Sequence, residues 1–433
     1  MLEVKEDAQK VERAFLVGIQ EEGMSREEAE DHLEELASLA DTMGVPMVGR
    51  MLARLPSPSA HFYLGRGKAE EIKMAAQAEE ADVLILDADL SPSQQRNWEE
   101  FSGIAVIDRE EVILDIFAGR AQTREARLQV GLARMQYSLP RLKRAWTHLE
   151  RQRGGAGLRG GPGELQLEVD RRRVLERIAR LRRELKEVRK QRQTQRKSRR
   201  GRPVPTAAIV GYTNAGKSSL LRKLTGAEVL IEDKLFATLD TTTRRLTLPN
   251  NQPLLLIDTV GFIRKLPHHL VEAFKATLEE ATLADFLVHV LDVSHPRLEE
   301  HFTVTEAVLK ELGAEGKKTL IVLNKTDLPH DAFILGRFRS KHPLIFPVST
   351  HTGEGLDALT DAFAEHFILP MKRYRLLIPQ DRYDLLNLIH NEGDVLGEHY
   401  EAEGIWLEAN LPIRFHHRVE SFITSQIHKS GYS

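Results

Sequence analysis

The sequence predicts an α/β chain of several domains, with a mostly parallel sheet near its middle. Three observations predict it. Short apolar runs that end in a polar residue alternate with helix-period segments in two separate stretches, the pattern of parallel strands covered on both faces. Two heptad seams flank a glycine-rich interruption. A glycine-rich turn, GYTNAGKSS, lies directly between a strand signal and a helix start. At roughly 100–200 residues per domain, 433 residues make about two to four domains.

Residues 1–120 read as an N-terminal α/β domain. VLILD (Val83 to Asp87) and IAVID (Ile104 to Asp108) are short apolar runs ending in Asp, as buried parallel strands do. GRGK (Gly65 to Lys68) reads as a turn before a helix; read instead as a phosphate loop, it would make this region a second, ATP-using enzyme.

Residues 121–202 read as an antiparallel helical hairpin arm with a glycine-rich tip. Leu128, Leu132, Met135, Leu139, Leu142, Trp146 and Leu149 are spaced 4, 3, 4, 3, 4, 3; Val174, Ile178, Leu181, Leu185 and Val188 are spaced 4, 3, 4, 3. GGAGLRGGPG (Gly154 to Gly163) ends the first helix and lets the second fold back. Pro140, inside the first seam, should kink that helix. Residues 203–370 repeat the strand-helix alternation through TAAIVG, LLLIDT, LVHVLDV and TLIVLN. Residues 371–433, with the strand-like YRLLIP and IWLEANLP, read as a small C-terminal α+β domain.

Composition narrows the partners. Net charge is −3, but the stretch from Asp170 to Arg202 holds 16 Lys/Arg against 4 Asp/Glu, so the remainder carries −15. A basic arm on an acidic body points to a polyanion, and hence to nucleic acid. No apolar run approaches the ~20 residues that span a bilayer. MLEVKEDAQK lacks a secretory apolar segment, and cysteine is absent. A cytoplasmic monomer with no membrane partner is expected.

The middle region carries the chemistry. Gly211, Tyr212, Thr213, Asn214, Ala215, Gly216, Lys217 and Ser218 fit G-x-x-x-x-G-K-[ST] between a strand and a helix. Backbone N–H groups of such a loop close around phosphate oxygens at a positive helix end. Lys217 is placed to reach the β- and γ-phosphates, and the Ser218 hydroxyl to ligand Mg²⁺. Downstream, Asp258, Thr259, Val260 and Gly261 follow a strand: Asp258 can hold Mg²⁺ through water, and Gly261 can present its N–H to a γ-phosphate. These features predict a P-loop domain.

Asn324, Lys325, Thr326 and Asp327 select the base. The Asp327 carboxylate can accept from guanine N1–H and N2–H₂, which adenine cannot offer. Asn324 and the Lys325 stem complete that pocket, and Ser349, Thr350 and His351 at the next strand end add backbone contacts. The substrate is therefore GTP and the domain a GTPase. Phe236, Ala237, Thr238, Leu239 and Asp240 lie where a switch segment belongs; Thr238, Thr241, Thr242 and Thr243 are all chemically able to ligand Mg²⁺, and the stretch is also β-prone. Phe262 occupies the position after Gly261 where many GTPases carry a water-orienting glutamine, so slow intrinsic hydrolysis is expected. His268 and His269 read as a solvated loop pair.

Several long segments resemble the HflX family of GTPases: FYLGRGKAEEI, DADLSPSQQRNWE, VIDREEVILDIFAGRAQTREARLQV, SLPRL, GGAGLRGGPGELQLEVDRRR, FATLD and DTVGFIRKLP. The resemblance runs from about residue 13 to about residue 425. It implies the same four-part architecture, with binding to the large ribosomal subunit and its rRNA. It also implies GTP-dependent dissociation of stalled or idle 70S ribosomes, often under stress, with the arm's tip near the peptidyl-transferase centre. By resemblance, Thr238 becomes the switch threonine on Mg²⁺. Asn214 resembles the asparagine of GTPases that use K⁺, which places Lys217, Thr238, Gly261 and Asn214 in the catalytic set. The chain departs from the family pattern at Thr241, where Pro is usual, at the extra glycine of RGGPGE, and at Gly131, where an acidic residue is common. A GTPase tethered to RNA for large-subunit assembly or hibernation, without splitting, is the alternative.

Overall fold

The computed structural model describes residues 12–142, 162–199, 204–226, 235–236, 238–239, 241–265, 280–366, 371–401 and 403–424. The chain forms two compact units. One holds Met1–Arg200, Ile231–Asp240 and Val260–Leu278; the other holds Gly201–Leu230, Thr241–Thr259 and Glu279–Ser433.

In the first unit, β1 (Ala14–Glu21), α1 (Arg26–Met43), β2 (Met47–Leu55), α2 (Arg66–Ala78), β3 (Val83–Leu86), α3 (Pro92–Ser102), β4 (Ala105–Asp108) and α4 (Arg109–Arg120) alternate. The sheet order is β2-β1-β3-β4, and every pairing is parallel. VLILD and IAVID are thus the strands expected from their apolar runs. Val17, Leu84, Leu86, Ile72 and Trp98 fill one face of the sheet; full burial of such side chains contributes ~1.5–3 kcal/mol each. Caps fix the helix starts. Ser25 accepts from Glu28 N, and Ser91 forms a reciprocal box with Gln94 ahead of Pro92. GRGK is the start of α2, with Gly65 as its cap residue.

Helix α5 (Arg124–Ser138) and helix α6 (Pro162–Arg199) carry the two heptad seams. Leu132, Ile178, Leu181 and Leu185 bury one another, with Leu128, Met135, Leu139 and Val174 alongside. Arg124 lies near Glu184, and Gly131 lies near Leu181, so the helices run antiparallel. Pro140 ends α5: the chain tightens into a 3₁₀ turn at Leu139–Arg141, because proline cannot donate to the preceding turn. Trp146, Leu149 and the glycine-rich tip through Gly161 lie outside the described residues.

In the second unit, β5 (Thr206–Gly211), α7 (Lys217–Thr225), β6 (Thr242–Thr247), β7 (Pro253–Asp258), β8 (Phe286–Asp292), α8 (Leu298–Glu311), β9 (Thr319–Asn324), α9 (Ala332–Lys341), β10 (Ile345–Pro347) and α10 (Leu356–His366) form a six-stranded sheet with helices. The order is β10-β9-β8-β5-β7-β6, parallel except for β6 at one edge. The order reverses at β5, so the carboxyl ends of β5 and β8 form the crevice where open α/β sheets take ligands. A smaller antiparallel sheet follows, β11 (Met371–Ile378), β12 (Asp394–Glu401) and β13 (Gly404–Pro412) in the order β11-β13-β12, covered by α11 (Tyr383–Glu392). YRLLIP and IWLEANLP are its β11 and β13. Among the described residues no helix is long and apolar enough to cross a membrane.

Candidate nucleotide site

The loop after β5 is built on backbone geometry that side chains would spoil. Gly211 has φ +147°, and a Cβ there would sit 2.2 Å from the Val290 carbonyl oxygen of β8. Gly216 has φ +94°, and its Cβ would meet Asn324 Nδ2 at 2.1 Å. Between them, Asn214 is exposed in the left-handed region at φ +59°. Tyr212 is buried, with its ring stacked 3.7 Å from His301. The loop is therefore a preformed cradle between a strand end and the N-terminus of α7.

Lys217 opens α7 and is 6% exposed; its Nζ donates to the Tyr212 carbonyl at 2.6 Å. Burial pushes its ammonium down to about 8, against the pull of Asp258. Ser218 Oγ donates to Asp258 Oδ2 at 2.6 Å. Asp258 is fully buried at the end of β7, and Thr259 Oγ1 donates to the Ile209 carbonyl at 2.7 Å. A hydroxyl and a carboxylate on adjacent strand and helix ends form a hard-oxygen donor set that suits Mg²⁺.

Asn324 ends β9 with no exposed surface. Its Nδ2 donates to the Ala215 carbonyl at 2.9 Å, and its Oδ1 accepts from Thr350 N at 3.1 Å. It binds the phosphate loop to the loop after β10, a linking role that spacing alone did not reveal. Lys325 has φ +67°, and its Nζ pairs with Asp292 at 2.6 Å. Thr326 N donates to the Val348 carbonyl at 3.2 Å. Ser349, fully buried, donates Oγ to Asp327 Oδ1 at 2.6 Å, which holds that carboxyl below its usual range. His351 Nδ1 lies 3.8 Å from Asp327 Oδ2. An ionised acceptor so placed can take two donors from one base edge.

Of the remaining expected residues, those at 236–240 and 260–262 belong to the first unit, and Thr241, Thr242 and Thr243 to the second. Phe236 is buried at φ +54°, edge to face with Phe117 at 4.6 Å. Thr238 is half-buried, and Leu239, Val260, Gly261 and Phe262 are buried. Ala237, Asp240, His268 and His269 lie outside the described residues. Thr242 and Thr243 enter β6 opposite Asp258 and Ile257, so the β-prone part of the switch stretch begins there. Sequence reasoning missed Arg264 and Lys265. Arg264 donates to Asp87 Oδ2 at 2.6 Å, and Lys265 Nζ lies 2.6 Å from Glu21 Oε1. Generic charges carry no signal of pairing across 177 positions.

Residues 30–118, 120–199 and 206–325 match three protein families, described as GTP-binding GTPase N-terminal, GTP-binding GTPase Middle Region and 50S ribosome-binding GTPase. The GTPase HflX of Akkermansia muciniphila is 49% identical over 440 residues, covering 98% of this chain and 100% of the relative. That of Escherichia coli (strain K12) is 41% identical over 404 residues, covering 93% and 94%. A crystal structure of a GTP-binding protein from Sulfolobus solfataricus in complex with GDP is 27% identical, covers 82% of this chain and 98% of that one, and has a TM-score of 0.44.

Proposed function

Because this chain belongs to the HflX family of GTPases and carries a domain of the 50S ribosome-binding GTPase family, we propose that it is a GTP-hydrolysing switch acting on the large ribosomal subunit. It docks there through rRNA and dissociates stalled or idle 70S ribosomes under stress. It works as a cytoplasmic monomer whose four domains are an α/β module at 1–120, the arm at 121–202, the GTPase at 203–370 and the C-terminal module at 371–433.

The observation that carries the reading is Asp327, ionised and oriented by Ser349 at the end of the loop that Asn324 ties to the phosphate cradle. Asp327 accepts from the guanine edge; the backbone of Thr326, Ser349, Thr350 and His351 shapes the rest of the base pocket. The N–H groups from Tyr212 to Ser218 enclose the phosphates, and Lys217 leaves the Tyr212 carbonyl for the β- and γ-phosphates. Gly261 donates to the γ-phosphate, an interaction that ends when that phosphate leaves. Ser218, Thr238 and, through water, Asp258 would hold Mg²⁺, which neutralises charge developing on the transferred phosphoryl group. Phe262 offers no hydrogen bond to a water, so hydrolysis is slow until the ribosome or a K⁺ ion at Asn214 supplies what the chain lacks.

Docking is electrostatic. Arg171, Arg172, Arg173, Arg177, Arg182 and Arg183 are exposed along α6, flanking and opposite its apolar seam. Sucrose-gradient analysis of 70S ribosomes with excess protein and GTP tests the proposal. Conversion of the 70S peak to subunits is expected. An unchanged 70S peak with protein on free large subunits would replace splitting by a tethered role in assembly or hibernation.

A further inference from the structure

The phosphate loop carries one aromatic residue, Tyr212, and the second unit grips its ring from outside the loop. Tyr212 is 5% exposed. Its ring lies flat against the His301 imidazole, with centroids 3.7 Å apart and planes 6° apart. His301 also meets the ring of His295, at 4.3 Å and 38°. All three residues belong to the second unit.

His301 is itself held on both sides, one turn into α8. Its N–H donates to the Arg297 carbonyl at 3.0 Å, and its carbonyl accepts from Thr305 Oγ1 at 2.9 Å. Thr305 is fully buried. Leu298, 1% exposed, pins the start of α8 into a core cluster with Leu291, Val293, Leu323 and Phe338. His295, in the turn after β8, accepts at Nδ1 from Arg297 N at 3.1 Å. The imidazole of His301 is therefore presented to the loop by a helix fixed to the sheet.

What the stack holds is the backbone of Tyr212. The Tyr212 carbonyl accepts from Lys217 Nζ at 2.6 Å and from Ala215 N at 3.4 Å, so the cradle closes on this one oxygen. Gly211 and Gly216 give the loop its path, but glycine is costly to order. We propose that His301 is a positioning residue for the phosphate loop: its ring holds Tyr212, and with it the carbonyl on which Lys217 rests, before a nucleotide arrives. Without the stack, the cost of ordering the loop is drawn from binding. The α- and β-phosphates are common to GTP and GDP, so both affinities fall together. Bound phosphates then order the loop themselves, and the loss falls on KM rather than on kcat. The inference rests on Gly211 to Ser218 as the nucleotide cradle.

The test measures binding of a non-hydrolysable GTP analogue and of GDP to the full chain, with steady-state GTP hydrolysis beside it. His301→Leu should weaken both nucleotides by about three- to tenfold, the range of one aromatic pair. KM for GTP should rise by the same factor, with kcat changed less than about twofold. His301→Gln, polar but without a ring, should lose as much, and melting curves check that both variants fold. His301→Phe keeps a flat ring and should retain most of the parent affinity. Tyr212→Leu should lose about what His301→Leu loses, and the double variant no more than either. Parent-like affinities in folded His301→Leu or His301→Gln would overturn the positioning role. So would a His301→Phe as weak as His301→Leu, additive losses in the double variant, or a lowered kcat at unchanged KM. Lys217→Ala separates this from the reading beneath it. Parent-like GTP affinity in that variant would overturn the cradle, and the positioning role with it.

Discussion

Asn324 and Ala215, 109 positions apart, are joined by a hydrogen bond of 2.9 Å from the Asn324 amide to the Ala215 carbonyl. The same side chain accepts from Thr350 N at 3.1 Å. The phosphate cradle and the base loop thus share one buried amide and cannot shift independently.

Asn324→Ala should therefore cost more than one hydrogen bond to the nucleotide. It leaves the Ala215 carbonyl and the Thr350 N–H without their buried partner, at about 1–3 kcal/mol each. Denaturant melts should show a loss of that order, and titration with a fluorescent GTP analogue should show at least tenfold weaker binding. Unchanged affinity in a folded variant would contradict the link.

Gly216→Ala should abolish nucleotide binding while leaving the sheet intact, since the new Cβ would lie 2.1 Å from Asn324 Nδ2 at φ +94°. Gly211→Ala should instead destabilise the whole second unit, because its Cβ would lie 2.2 Å from backbone, the Val290 carbonyl oxygen. Circular-dichroism melts separate the two outcomes. Equal losses of stability would argue against the distinction.

Lys217 gives a pH signature. Its ammonium is pushed down to about 8 by burial, from an ordinary 10.5. Between those values the unfolded chain binds more protons than the folded one, so this group lowers stability below pH 8 and the penalty fades as pH rises through that window. Phosphates beside Lys217 restore the charge, so GTP binding at about pH 8.5 should take up a fraction of a proton and at about pH 6.5 none. Calorimetry in two buffers of different ionisation heat measures this. Equal uptake at both values would contradict it. Lys217→Ala should abolish tight binding altogether.

The basic arm predicts a salt slope. Neutralising Arg171, Arg172 and Arg177 on α6 should weaken large-subunit binding. It should also reduce the dependence of log affinity on log salt by up to about 0.7–0.9 for each phosphate no longer neutralised. Nucleotide affinity should not change. Reversing Arg151, Arg153 and Arg159 of the tip, which lie outside the described residues, should act in the same direction. A slope equal to that of the parent chain would remove the arm from the docking surface.

Much of this architecture was legible because its determinants are local. Continuous apolar runs located β3, β4 and β5, heptad spacing located the α5/α6 seam, and Gly211 to Ser218 has a fixed spacing around a strand end. The strands YRLLIP and IWLEANLP were also visible, but β12, DVLGEHYE, was not: it is a polar edge strand whose pairing with β13 supplies the order that its own pattern lacks. Asn324 read as a pocket residue because spacing cannot show that both ends of its amide meet backbone. The quartet of Glu35, Asp87, Arg109 and Arg264 was invisible for the same reason. Its members look like surface charges until the fold desolvates them together, with Arg109 0% and Asp87 1% exposed.

The central claim is that Asp327 makes this a guanine-nucleotide site. Asp327→Asn replaces one carboxylate oxygen with an amide donor and keeps the shape. Competition binding of guanosine and xanthosine nucleotides to parent and variant measures the effect directly. The account predicts a loss of GTP affinity of about 100-fold or more, ~3 kcal/mol, with a gain for the xanthosine nucleotide, whose 2-oxo group can accept from the new amide. GTP affinity unchanged in the variant would contradict it.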